Sequence, residues 1–336
     1  QSYMSKMTKD NSFQYGLNDK VMFADSIKYL EHMQQPFYTK FITVSNHYPY
    51  QSLDGDDTGF PLAKTEDKTI NGYFATANYL DAAIKDFFDY LKASGLYKNS
   101  IIVMYGDHYG IANSRNTDLA PLLGKDSQTW TEYNNAMLQR VPYMIHVPGT
   151  DKGFISNTYG GEVDALPTLL HLLGIDNKNY IELGQDLLSP NNKQLVAFRS
   201  EGNYITPNYT SYSGRVYDTK TGVEITNPDE ATTAKLKELR DAADKQLNTS
   251  DNIQTGDLLR FDKDSGLKPI DIGSISYKKD SLKKLKKIEK KLDKNSTSLY
   301  SKNGNKSTQD LYKAPSYKEL HPEESSKESS TTTSSK

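Results

Sequence analysis

Asp107 and His108 stand side by side directly after an apolar run, Ser100-Ile-Ile-Val-Met-Tyr105. A carboxylate oxygen next to an imidazole nitrogen is half of a mixed O/N site for a divalent cation. Asp is also common in ordinary turns, so adjacency alone leaves a purely structural loop open. The strand-end position weighs toward a metal ligand, because open α/β sheets bind ligands outside the carboxyl ends of their strands. His47 is the second candidate, in Ser45-Asn-His-Tyr-Pro-Tyr50 after the run Phe37–Val44. An imidazole that titrates near neutrality can contact a phosphate or protonate a leaving oxygen there; packing between Tyr48 and Tyr50 is the structural alternative. Arg140 is an anion-binding or ion-pairing candidate. His146, within an apolar run, and His171, among leucines, read as satisfied core or near-core residues, while His32 falls at a helix end and His321 in the tail.

The elements that must hold these residues alternate between strand and helix patterns, which predicts an α/β fold with a largely parallel sheet. Phe37–Val44 reads as one strand. Ser100–Tyr105 is continuous and β-branched, so a central strand buried on both faces is expected, and Val141–Val147 is a further strand closed by Pro148-Gly149. Between them, Asn71–Ala93 has helical spacing, with Gly95 where a C-terminal cap belongs. Asp164 should cap a helix running to Gly174, with Pro167 in its first turn. After Pro190 short strands punctuated by Gly202, Gly214 and Gly222 suggest an antiparallel meander, followed by a helix over Asp229–Leu247. The expected division is 1–190 for the α/β portion, 191–262 for a small antiparallel β subdomain with one helix, and 263–336 for a basic, Ser/Thr-rich, largely disordered tail. Within that tail Lys278–Lys294 holds nine lysines against three acids. A solvated, marginal helix or a surface for an anionic polymer or lipid both fit it.

Composition narrows the classes. There is no cysteine among the 336 residues, which removes disulfides, thiolate metal sites and a Cys nucleophile together. Any metal must use His and carboxylate. A net charge of −2 lacks the basic excess of a nucleic-acid binder. The chain starts at Gln1 and contains no apolar stretch near the roughly 20 residues of a membrane span; a piece of a longer protein is expected.

Several segments carry a resemblance: Val44-Ser-Asn-His-Tyr-Pro-Tyr50, Tyr105-Gly-Asp-His-Tyr-Gly-Ile111, Gln139–Gly149, Tyr159-Gly-Gly161, Val163–Gly174 and Leu183-Gly-Gln-Asp-Leu-Leu188. In order, they resemble the sulfatase-like extracellular domain of the lipoteichoic acid synthase family, over about residues 1–262. The Gly-Asp-His and Asp-x-x-Pro-Thr elements alone indicate only the sulfatase branch of the alkaline phosphatase superfamily. The resemblance implies the carboxyl part of an alkaline-phosphatase/sulfatase-like sheet flanked by helices. It implies a metal-dependent phosphoglycerol transferase on the outer face of a Gram-positive cell membrane, taking phosphatidylglycerol as donor and extending a glycerolphosphate polymer through a Thr-phosphoglycerol intermediate. Asp107 and His108 then correspond to ligands of Mn²⁺, with Mg²⁺ as the other choice, and His47 to the group that contacts the phosphoglycerol or protonates the leaving group.

By the same resemblance the Thr nucleophile, a Glu ligand and the membrane helices precede Gln1, so this chain alone is expected to be inactive. The processed domain would be secreted or wall-associated. Asn248-Thr-Ser-Asp251 is not a replacement nucleophile, because no Gly-rich lead-in aims its hydroxyl. A sulfatase or phosphoethanolamine transferase of the same fold, or a non-catalytic wall-associated fragment that binds anionic polymer, are the alternatives.

Overall fold

The structure is a computed structural model and describes residues 7–8, 11–14, 16–51, 59–178, 181–261 and 281–313. In chain order the elements are β1 (Ser12–Phe13), β2 (Gly16–Leu17), α1 (Asp19–Leu30), α2 (Lys68–Ala93), β3 (Ile102–Tyr105), α3 (Asn116–Leu119), α4 (Glu132–Met137), β4 (Tyr143–His146) and α5 (Ala165–Leu172). There follow β5 (Val196–Ala197), β6 (Tyr204–Ile205), β7 (Tyr209–Tyr212), β8 (Arg215–Asp218), α6 (Glu230–Thr255), α7 (Ser281–Leu292) and α8 (Leu299–Lys302). β1 pairs with β2, β3 with β4, and β5-β6-β7-β8 form one sheet in sequence order. No helix among the described residues is long and apolar enough to cross a membrane. The chain divides into two compact units, one of residues 1–102, 145–149 and 271–336, the other of 103–144 and 150–270.

The first unit is built on α1 and α2. Buried Val21, Ala24, Ile27 and Leu30 recur every third residue on α1, and Ala75, Tyr79, Ala83, Phe87 and Leu91 every fourth on α2, the two spacings that line one helical face. The Asp67 carboxylate accepts from Thr69 N at 2.8 Å to start α2, and Gly95 at φ +81° ends it. Phe23 stacks on Phe87 at 4.6 Å, and Phe41 closes a triangle at 5.4 and 5.3 Å. Phe41 belongs to the segment expected as a strand, and here the structure differs. Phe37–Val44 joins no ladder among the described residues, although burial still alternates: Phe37 and Phe41 face the core while Tyr38 and Ile42 are exposed. A period-two pattern specifies a buried face but not a hydrogen-bonding neighbour. For the same reason β3 is not the doubly covered central strand expected; it is half-buried, ends in exposed Tyr105 and pairs with β4 alone among the described strands.

A second correction concerns residues 281–313, placed by composition in a disordered tail. They form α7 and α8 and pack into the first unit: Tyr312 is part of the core cluster, and Thr308 is buried. The attachment is polar. Glu31, 2% exposed at the end of α1, accepts from Thr308 N at 2.7 Å, from the Thr308 hydroxyl at 3.1 Å and from the Ser307 hydroxyl, and Thr308 bonds the Tyr90 hydroxyl at 2.9 Å. His32 Nδ1 meets Glu289 Oε2 of α7 at 2.9 Å, and its ring lies against Tyr300. Composition undervalues such a segment because its anchors are Ser, Thr, Glu and Tyr. The stretches 263–280 and 314–336, with His321, lie outside the described residues.

In the second unit the meander is as expected: Tyr209–Tyr212 pairs antiparallel with Arg215–Asp218 through the Ser213-Gly214 turn, and β5, β6 and β7 follow antiparallel. α6 lies against β5 and β6 and is longer than predicted, starting where Asp229 accepts from Thr232 N at 2.7 Å. Tyr133 of α4 donates to Thr219 O at 2.7 Å, and its ring leaves no room for a Cβ at Gly222, whose φ is +72°.

Because Glu31 and Tyr312 need each other's segments, truncation after residue 265 should destabilise the first unit. Loss of charge-accepting hydrogen bonds alone costs about 1.5–3 kcal/mol each at a buried carboxylate. Urea unfolding of the truncated chain and of Glu31→Ala should show both well below the full chain; truncation without loss of stability would contradict the packing described.

Candidate active site

His47 belongs to the first unit, and its loop is held by a clamp on α1. Asp19, fully buried at the first turn of α1, accepts from Val44 N at 2.8 Å and from Ser45 N at 3.2 Å, and Asp19 N donates back to Ser45 Oγ at 2.9 Å. One residue on, Asn46 Oδ1 accepts from the Thr76 hydroxyl of α2 at 2.9 Å. Tyr50 N donates to His47 O at 2.9 Å, and Tyr50 runs so close to α2 that a Cβ on Gly72 would collide with its carbonyl. Ser45, Asn46 and Tyr50 therefore position the loop, and His47 is the member that can do acid–base work. Its Nδ1 lies 2.8 Å from Tyr48 O. A carbonyl can only accept, so Nδ1 carries the proton and Nε2 the lone pair of the neutral ring.

Asp107 and His108 belong to the second unit, at the end of β3. The strand pairing continues one step beyond Tyr105, where Gly106 N donates to Pro142 O at 3.1 Å; a Cβ on Gly106 would lie 2.8 Å from the Val141 side chain. The next two side chains are thus delivered at the strand's exit. Both are exposed, with Asp107 Oδ1 3.7 Å from His108 Nε2. His108 repeats the arrangement at His47: Nδ1 sits 2.8 Å from the carbonyl of the following tyrosine, Tyr109. Its Nε2 is again the nitrogen with the lone pair, on the same side as the carboxylate. This oxygen and nitrogen fit two positions around a divalent cation; among the described residues no group of three or more metal-binding side chains assembles.

Other motif residues prove to be scaffold. Asp164 accepts from Gly161 N at 2.8 Å and Gln185 N at 2.6 Å, and the Thr168 hydroxyl donates to Asp164 O and accepts from Leu187 N at 3.0 Å. The segments Val163–Gly174 and Leu183–Leu188 are therefore each other's partners, brought close where Gly184 meets the Val163 carbonyl without space for a Cβ. His146 is satisfied as expected, stacked on Tyr97 at 4.0 Å with Nε2 3.2 Å from Tyr97 O. His171 is not a core residue: its side chain is 58% exposed and pairs with Asp186 at 2.6 Å, and the residues that α5 buries are Pro167 and Thr168, not its leucines. Arg140 is exposed. Thr249 lies inside α6 with its hydroxyl on Lys245 O at 2.7 Å, and Asp251 pairs with Arg199, so neither is a nucleophile group. Sequence reasoning missed Asp19 and Thr76; an Asp opening an apolar-periodic helix reads as a dipole partner, and nothing in its spacing points to residue 45.

The sulfatase family model matches residues 1–175, over half of the chain, and the chain belongs to the sulfatase family. Within it the chain is similar to lipoteichoic acid synthases. Lipoteichoic acid synthase 2 of Bacillus subtilis (strain 168) is 46% identical over 273 residues, 81% of this chain and 40% of that protein. The lipoteichoic acid synthase of Staphylococcus aureus (strain USA300) is 40% identical over 271 residues, again 81% and 40%. Among solved structures, the lipoteichoic acid synthase LtaP of Listeria monocytogenes matches with a TM-score of 0.58 at 27% identity, covering 73% of this chain and 61% of that one. An alkaline phosphatase superfamily protein of Vibrio parahaemolyticus matches with a TM-score of 0.50 at 19% identity, over 74% and 58%. The fold is that of the alkaline phosphatase superfamily. The chain spans about 40% of the length of the curated relatives it matches.

Burial pushes the Asp19 carboxyl up to about 6, outweighing its hydrogen bonds to Val44 and Ser45. Between about pH 4 and 6 the folded chain holds a proton that the unfolded chain has released, so this contribution is present below about pH 4 and lost as pH rises through 6. A shift of about two units corresponds to ~3 kcal/mol. Burial raises Asp164 in the same direction. Urea unfolding at pH 4 and pH 7 should show Asp19→Asn losing less stability over that interval than the parent by roughly this amount; identical pH dependence would exclude Asp19 as the source.

Proposed function

We propose that the chain is part of a phosphoglycerol transferase that builds the glycerolphosphate polymer of lipoteichoic acid from phosphatidylglycerol at the outer face of a cell membrane. Its similarity to lipoteichoic acid synthases supports this, and the observation that carries it is the pairing of Asp107 Oδ1 and His108 Nε2 at the end of β3, with the imidazole turned by Tyr109 O. Asp107 and His108 would hold the cation, Mn²⁺ or Mg²⁺. When bound, such an ion clamps a phosphoryl oxygen and acidifies a coordinated hydroxyl. His47 contacts the phosphoglycerol or protonates the leaving group: with Nδ1 tied to Tyr48 O, Nε2 is the nitrogen turned to it, and once that nitrogen has taken up a proton it can give it to the departing glyceride oxygen. The clamp from Asp19 keeps that nitrogen from wandering with its loop. The nucleophile, a further ligand and the membrane-spanning part are assigned to sequence outside these 336 residues.

The whole protein provides the test. His47→Ala should leave the melting temperature and bound Mn²⁺ unchanged while lowering headgroup release by roughly 10² to 10⁴, the range for a lost general acid–base group. His108→Ala should lose metal and turnover together. Near-normal turnover by the His47 variant would overturn its assignment, and release of sulfate or phosphoethanolamine in place of phosphoglycerol would overturn the donor.

A second expectation concerns the 336-residue chain by itself, which should not turn over fluorescent phosphatidylglycerol. Turnover would place the nucleophile within it.

A further inference from the structure

α7 has an arrangement that neither catalysis nor packing requires. Its twelve residues, Ser281-Leu-Lys-Lys-Leu-Lys-Lys-Ile-Glu-Lys-Lys-Leu292, contain six lysines and one acid. That acid is the residue by which the helix is fastened. Glu289 is buried, with Oε2 on His32 Nδ1 at 2.9 Å and Oε1 accepting from the Ser298 hydroxyl. Leu282 and Leu285 are half-buried on the same side. At 100° per residue the lysines occupy the opposite arc, and all six are exposed.

The one negative charge on the helix is therefore turned inward, and the outward face carries a single sign. Lys283 and Lys287, Lys287 and Lys291, and Lys286 and Lys290 are like-charged neighbours one turn apart, an arrangement that weakens a helix in isolation. A face meant only for solvation would gain by placing acids at these positions, as α6 does with Lys237 and Asp241. Lys283, Lys286, Lys287, Lys290 and Lys291 make no ion pair with a described carboxylate.

We infer that the lysine face of α7 is a docking surface for a flexible phosphodiester polyanion, the glycerolphosphate chain itself, and not for a bilayer. The charge pattern selects an anionic partner that repeats along its length, because the lysines rise in rows about 5.4 Å per turn along the helix. A membrane-surface helix must offer a continuous apolar stripe to lipid, whereas here Leu282 and Leu285 are half-buried beside the inward Glu289 and only Ile288 and Leu292 of the stripe are exposed. The identity of the polymer rests on the transferase reading; the cationic face does not. Held there, the polymer would be retained by many weak, salt-sensitive contacts that each leave it free to slide.

Fluorescence anisotropy of a labelled synthetic ten-repeat 1,3-glycerolphosphate oligomer with the 336-residue chain tests this. The combined variant Lys283→Gln, Lys286→Gln, Lys287→Gln and Lys290→Gln should weaken binding roughly tenfold or more and flatten the salt dependence, while the double variant Lys287→Gln and Lys290→Gln gives an intermediate loss. Neutralising Lys220, Lys235, Lys237 and Lys245, also exposed, should change affinity less than about twofold. Sedimentation with phosphatidylglycerol–phosphatidylcholine vesicles should not distinguish the four-lysine variant from the parent. Equal oligomer binding by parent and four-lysine variant would overturn the proposal, as would vesicles competing the oligomer off the lysine face. The assay contains no turnover, so a whole protein that transferred another headgroup while the oligomer still bound through α7 would remove the transferase reading alone.

Discussion

Buried backbone amides in loops must find acceptors, and in this chain a few buried carboxylates supply them. Asp19 takes the amides of Val44 and Ser45, Glu31 the amide of Thr308, and Asp164 those of Gly161 and Gln185. An unpaired buried N–H costs as much as a lost hydrogen bond, and a loop has no ladder in which to pair it. Each carboxylate thus converts a segment without regular structure into a fixed one. The cost appears as proton affinity: burial raises both Asp19 and Asp164, since the charged form that accepts best is also the form that gives up most hydration.

The motif residues divide accordingly. Ser45, Asn46, Asp164 and Thr168 are engaged by Asp19, Thr76 and backbone groups, and Gly184 sits where a Cβ would not fit. Asp107 and His108 are exposed, with Asp107 Oδ1 3.7 Å from His108 Nε2 and His108 Nδ1 on Tyr109 O. A motif match alone does not tell these groups apart, because both kinds of residue recur in the same short strings. Geometry separates them: a scaffold residue has its polar atoms consumed internally, while the candidate ligands keep an oxygen and a nitrogen facing the same way.

Much of the fold was legible where periodicity and punctuation agree. α2 follows from its apolar spacing with Asp67 and Gly95 at its ends, and the β7–β8 hairpin from Ser213-Gly214. Legibility stopped where a partner had to be named. Phe37–Val44 shows its alternation yet joins no ladder among the described residues, since pairing depends on another segment's position. Residues 281–313 read as tail because lysines and serines dominate them, but a segment can be fixed by three hydrogen bonds to one buried glutamate as surely as by a leucine stripe. His32 and His171 exchanged roles for the same reason. A run of leucines suggests a buried helix, but α5 buries Pro167 and Thr168 and leaves His171 exposed, while the helix-end His32 became buried where Glu289 and Tyr300 cover it.

The two candidate histidines share a local device that depends on no distant contact. Each is followed by a tyrosine whose carbonyl holds Nδ1 at 2.8 Å, so the tautomer is set by the next peptide unit. Aim is a separate matter, because that peptide unit moves with its loop. At His108 the loop is fixed by the last step of the β3–β4 pairing at Gly106, and at His47 by Asp19, Thr76 and the close passage of Tyr50 over Gly72. A substitution at any of these supports would leave the imidazole chemically intact and its Nε2 displaced, which makes loop anchorage, more than the identity of the ring's neighbours, the quantity that sets how well each histidine can work.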